Sequence, residues 1–155
     1  MKQMTIQSAA LKCLLLVSAT SLFSFSEKMG GDSFEIYLNG KMLVQQYVTM
    51  NQGLKTLRVD QSQFNDDITF YYSHCGKTGR DRSITIRDSQ NRVLKTWHFQ
   101  NDDATRSAMN CKLKDIPGLQ KTNNLQLYYA SSEIPDGRLL ATLVIANENK
   151  IALKH

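Results

Sequence analysis

Residues 33–49 read SFEIYLNGKMLVQQYVT, and this stretch decides the fold. Phe34, Ile36 and Leu38 alternate with Glu35 and Tyr37. Alternation of apolar and polar side chains with a period of two belongs to a half-buried strand, whose successive side chains point to opposite faces. Asn39-Gly40 is a tight-turn signal, and Met42–Thr49 follows as the returning strand of a hairpin.

The same period continues down the chain. Leu54–Val59 and Ile68–Ser73 come next, the latter with Ile68, Phe70 and Tyr72 on one face. Ser83–Arg87 places Ile84 and Ile86 on one side and Thr85 and Arg87 on the other. Asp88-Ser89-Gln90-Asn91 is a polar turn into Val93–Phe99. Met109–Lys114, Leu125–Tyr129 and Leu139–Ala146 complete the strands, and Ile116–Lys121 is the one stretch suited to a helical turn. The separators are rich in Asn, Asp, Gly and Ser, as turns require. Eight or nine short strands at this spacing predict an all-β domain, an antiparallel β-sandwich, with a small up-and-down barrel as the alternative. Consecutive hairpins would suit a meander. No repeat, low-complexity tract or linker interrupts residues 27–155, so they are expected to form a single β-rich domain.

Residues 1–26 have a different composition. Lys2 and Lys12 give a positive start, and Cys13–Phe25 is uncharged and apolar or small. This is the pattern of a secretory signal peptide; Val17-Ser18-Ala19 and Ser24-Phe25-Ser26 both fit a cleavage site, and cleavage after Ser26 is preferred because it also removes Leu22, Phe23 and Phe25. The run is shorter than the roughly 20 residues that cross a bilayer core, and no second apolar segment is longer. Cys13 opens the run instead of ending it, which argues against lipidation. Cleavage after Ser26 removes Lys2 and Lys12, leaving 17 of the 19 basic residues against 14 acidic ones, a net charge of +3. That mild charge does not mark a nucleic-acid binder. The expected location is outside the cytosol, in a periplasm or beyond.

Loss of the signal leaves Cys75 and Cys111. Two cysteines in an oxidising compartment predict a disulfide between them. His74, Cys75, His98 and Cys111 carry the right atoms for zinc, but their spacing lacks the close ligand pairs of a zinc knuckle. Cys75 as a nucleophile lacks any marked base or oxyanion site.

Other motifs fall short of chemistry. Gly76-Lys77-Thr78 ends like a phosphate-binding loop, yet Tyr71 stands where the first glycine belongs and a strand follows in place of a helix. Asn65-Asp66-Asp67 and Asn101-Asp102-Asp103 could offer oxygen ligands to Ca²⁺, but neither has the spacing of a calcium loop, and such residues ordinarily cap turns. There is no Gly-x-Ser-x-Gly elbow and no His-Glu-x-x-His helix. No catalytic residue, metal ligand set or cofactor is therefore predicted.

Two features suggest a binding surface. Lys77, Arg80, Arg82 and Arg87 form a basic stretch that could meet an anionic glycan, a lipid headgroup or an acidic protein surface. The doublets Tyr71-Tyr72 and Tyr128-Tyr129 each put one ring inward and one outward, so Tyr71 and Tyr128 could stack on sugars or anchor a partner.

The segments Ser33–Lys41 and Tyr72–Arg80 resemble those of small exported proteins from Bacteroidetes-type bacteria. The resemblance implies export and a β-rich fold, and it brings no site residue with it. The expected function is that of an exported, non-enzymatic β-domain that binds or scaffolds a partner, an envelope protein or anionic glycan, at the cell envelope. A small secreted hydrolase and a calcium- or glycan-dependent adhesion module are the alternatives.

Overall fold

The computed structural model divides the chain into two units, Met1–Gly30 and Gly31–His155. It describes residues 31–48, 53–119 and 124–146. The predicted signal peptide, its expected cleavage site and Cys13 lie outside the described residues.

Nine strands are described: β1 (Ser33–Leu38), β2 (Lys41–Tyr47), β3 (Lys55–Asp60), β4 (Asp67–Ser73), β5 (Ser83–Arg87), β6 (Val93–His98), β7 (Met109–Lys112), β8 (Leu125–Ser131) and β9 (Ile134–Ala146). They form two sheets, of order β2-β1-β4-β7 and β3-β9-β8-β5-β6. The protein is thus an all-β sandwich, and neither sheet closes into a barrel. Among the described residues no helix is long and apolar enough to cross a membrane.

The alternation read from the sequence sorts the two faces. Phe34, Ile36, Leu38, Ile68, Phe70 and Tyr72 from one sheet meet Ile84, Ile86, Leu125, Leu127, Tyr129, Leu140 and Leu143 from the other, all buried. Each large apolar side chain taken fully from water contributes roughly 1.5–3 kcal/mol. Asn39 and Gly40 both adopt positive φ, 48° and 78°, and join β1 to β2 with Leu38 opposite Lys41. That is the backbone of a type I′ hairpin turn, which Asn-Gly favours.

Four details depart from the expectation. The strands do not form a meander, because the chain passes repeatedly between the two sheets. β3 pairs with β9 in parallel, Leu57 beside Leu143. Strands so far apart in sequence are not tied by a hairpin, so either direction is open to them. β9 begins at Ile134, ahead of the predicted Leu139, because Pro135-Asp136-Gly137 forms an irregular part of the strand instead of a separate turn. Gly137 takes φ 76° there, a bulge conformation that suits glycine. Helical turns lie at Gln61–Gln63, where the sequence predicts none, and at Leu113–Asp115, just before the predicted segment, and Ile116–Leu119 is a plain turn.

Candidate functional site

β1 and β5 begin, and β4, β6 and β8 end, at one end of the sandwich, because Ser33 pairs with Ser73 and Ser83 pairs with both His98 and Ala130. The loops of residues 74–82 and 99–108 and the β8–β9 turn therefore meet there. His74 lies among them. His74 and Lys77 exchange backbone hydrogen bonds, and Cys75 and Gly76 between them take φ 50° and 87°, a second I′-type turn.

The His74 ring is nearly buried and surrounded by polar groups. Its Nε2 lies 3.0 Å from the Tyr129 hydroxyl and 3.2 Å from Ser131 Oγ. Its Nδ1 lies 3.6 Å from Asp32 Oδ2, and Nε2 lies 3.9 Å from Glu133 Oε2. The arrangement suits the tautomer protonated at Nδ1, with Nδ1–H directed toward Asp32, the Tyr129 hydroxyl donating to Nε2 and the Ser131 hydroxyl donating to Glu133. Asp32 also accepts from the Tyr72 hydroxyl at 2.9 Å and from Arg138 Nη1 at 3.2 Å. Burial pushes the Tyr129 hydroxyl above the ordinary phenol range and the Tyr72 hydroxyl well above it, so both act as donors. For Glu133 desolvation works upward, but hydrogen bonds from Ser131 and from the backbone outweigh it and hold the carboxyl low.

Asp32, His74 and Ser131 stand in the order of a hydrolytic relay. Access is what they lack. Ser131 is 4% exposed. Gly79 packs directly over the cluster: a β-carbon on it would sit 2.6 Å from the Tyr129 hydroxyl, 2.7 Å from His74 Nε2 and 2.9 Å from Glu133 Oε2. The cluster therefore acts as a pin. It satisfies its own polar atoms and fixes the loop of residues 74–80 to the sandwich.

Outside the pin lies a groove of about 460 Å³, walled by Lys77, Thr78 and Arg80 on one side and by Asn101, Asp103 and Thr105 on the other. Both walls are anchored. The Thr78 hydroxyl donates to Ala104 O, and the Asp81 amide donates to Asn101 Oδ1 at 2.7 Å. Asp102 Oδ1 accepts from the Ala104 amide at 2.9 Å, the turn-capping role of such residues. A larger cleft of about 630 Å³ beside Phe64 and Pro117 has Lys114 as its one ionisable lining residue.

The predicted surface residues do not form one patch. Lys77 and Arg80 line the groove, where Arg80 lies 3.7 Å from Asp103. Arg87 stacks on Tyr128, 4.5 Å from the ring centroid, on the outer face of the five-stranded sheet. Tyr71 is on the outer face of the other sheet, beneath Arg106 at 3.7 Å. Arg82 is not a surface residue. It is 2% exposed, and its guanidinium donates to the carbonyls of Ser107 at 3.1 Å and Gln100 at 2.7 Å, holding the loop of residues 99–108 in place. The carboxylates beside Lys77 and Arg80 also cancel the basic field on which an anionic ligand would depend.

The predicted Cys75–Cys111 disulfide is absent, and both thiols are free. Cys111 pairs opposite Ile68, at the start of β4, whereas Cys75 lies beyond its other end at Ser73. The strand alone separates them by about 16 Å, and a disulfide tolerates no more than about 7 Å between Cα atoms. Cys111 is a core residue whose thiol burial pushes up to about 12. It is therefore no metal ligand beside His74 and His98, and among the described residues no three His, Cys, Asp or Glu side chains converge as a metal site.

Sequence reasoning passed over Asp32, Gly79, Ser131, Glu133 and Arg138, because nothing local marks them. Only the inward face of Tyr72 and Tyr129, with His74 next along the chain, pointed toward this end of the fold. No family model matches the chain, and no curated protein matches it.

Proposed function

We propose that this chain is an exported, non-enzymatic β-sandwich that binds a partner at the cell envelope through the loop-bearing end of the sandwich. The observation that carries the reading is the anchored groove. Two loops are pinned to the core, one by the His74 cluster and one by buried Arg82, and between them they hold out Lys77, Thr78, Arg80 and Asn101. Rigid walls that present polar side chains in fixed positions lower the ordering cost of binding. The mix of Lys77 and Arg80 with Asp102, Asp103 and Glu133 suits a polar partner of little net charge better than a polyanion.

Capture from envelope extract tests this, with the immobilised protein as bait. A Lys77→Ala/Arg80→Ala variant should lose the captured species, and Lys114→Ala at the other cleft should retain it. Equal capture by all three proteins, or none by any, overturns the reading.

The Asp32–His74–Ser131 line favours a second reading, a small secreted hydrolase. The burial of Ser131, and the packing of Gly79 against His74 Nε2, weigh against it. Turnover of short-chain nitrophenyl esters that Ser131→Ala abolishes would establish it in place of the first.

A further inference from the structure

On the outer face of the four-stranded sheet, Ser33 pairs with Ser73 and Glu35 pairs with Tyr71. These four side chains point away from the core that Phe34 and Tyr72 enter. Thr105 and Arg106 come over from the loop and wall a pocket of about 150 Å³ against them. A volume of this order accepts one six-membered ring.

The chemistry inside is specific. The Arg106 guanidinium lies over Tyr71, 3.7 Å from the ring centroid, and Tyr37 meets Tyr71 edge-on at 5.6 Å. Arg106 Nη2 donates to Glu35 Oε2 at 2.6 Å, and the Tyr37 hydroxyl donates to the same oxygen at 2.8 Å. Among the described residues Glu35 Oε1 and Arg106 Nε and Nη1 have no hydrogen-bond partner. The acid–base pair, held by these bonds, thus presents a free acceptor beside free donors. Partial burial pushes the Glu35 carboxyl up, but the bonds from Tyr37 and Arg106 and the guanidinium charge outweigh it, so the pair stays ionised and its charges cancel.

We infer that this pocket binds one uncharged sugar ring, held by Glu35 and Arg106 and flanked by Tyr71. Neighbouring ring hydroxyls both donate and accept, which is what the paired carboxylate and guanidinium demand. The hydroxyls of Ser33, Ser73 and Thr105 extend the same pattern around the rim. An anion would meet Glu35 and a cation would meet Arg106, so charge selects a neutral ligand. Aromatic carbon at Tyr71, which lines the pocket, suits the C–H edges of the ring. The pocket is distinct from the groove of Lys77 and Arg80, so the inference goes beyond the binding-domain reading.

The test is titration of the isotope-labelled protein with glucose, galactose, mannose and N-acetylglucosamine, followed by NMR, with glucuronate as the charged control. At least one neutral sugar should give saturable shifts at Glu35, Tyr71 and Thr105, and glucuronate none. Arg106→Lys and Glu35→Gln should each weaken that binding about tenfold, and Tyr128→Ala on the other sheet should not change it. Unchanged thermal midpoints in the two variants would show that the loss is local. No shift with any neutral sugar, shifts with glucuronate alone, or shifts indifferent to Arg106→Lys overturn the inference. If envelope capture still depends on Lys77 and Arg80 in that case, the binding-domain reading stands and the sugar pocket alone falls.

Discussion

The rings of Tyr72 and Tyr129 stack face to face across the two sheets, their centroids 4.1 Å apart and their planes 8° from parallel. Each is the inward member of a tyrosine doublet, and each carries its hydroxyl to the His74 cluster. A double-mutant cycle with Tyr72→Leu and Tyr129→Leu should give a coupling of about 0.5–1.5 kcal/mol, the ordinary worth of an aromatic pair beyond its buried area. Strictly additive losses in urea denaturation would mean that the stack adds nothing.

Gly79→Ala should destabilise the fold by roughly 1–3 kcal/mol, the usual cost of forcing a methyl group into a packed site. The methyl would collide with Tyr129, His74 and Glu133 together. In ¹⁵N NMR the His74 ring signals should move as well. A stable variant with unchanged His74 signals would contradict the pin.

The thiols should differ sharply in reactivity. Alkylation of the folded protein should label exposed Cys75, and Cys111 only after unfolding. Cys75→Ser should change stability by no more than about 0.5 kcal/mol, as for an ordinary surface substitution. A disulfide-linked peptide containing both residues would refute the separation of about 16 Å along β4.

Arg82→Met keeps the buried stem and removes two charge-assisted bonds to loop carbonyls. The loss should be roughly 1.5–3 kcal/mol. Hydrogen exchange should quicken across residues 99–108 before it does elsewhere. Uniform quickening of both sheets would show that Arg82 supports the whole core and not this loop.

Acid should destabilise the fold through its hydrogen-bonded carboxylates. The Arg92 backbone amide leads the effects that lower Asp88, and the Ala104 amide leads those that lower Asp102. Their folded values lie below the unfolded one, so their stabilisation is complete above about pH 4 and is lost as pH falls through the folded values. The urea midpoint should therefore drop below about pH 4, and less steeply in Asp88→Asn. A midpoint that rises on acidification would invert the sign.

The sequence by itself determined the class of fold, most of the strand positions and the inward residues. Ile36, Phe70, Ile84 and Leu127 are legible as core because a strand points alternate side chains to opposite faces, and that period is local. Asn39-Gly40 is legible as a turn because positive φ at two successive positions selects those residue types. Tertiary structure alone decided which strands became neighbours, since many strands of similar apolar pattern can cover one another equally well. That choice put Cys111 at the far end of β4 from Cys75, and it took Arg82 inside although its charged neighbours suggested a surface. It also joined Asp32, His74, Ser131 and Arg138 at one end of the sandwich, and set Arg106 over Tyr71. These contacts span 57 residues between His74 and Ser131 and 106 between Asp32 and Arg138. No local period carries information over such distances, and only the packing of two sheets around one core brings these groups together.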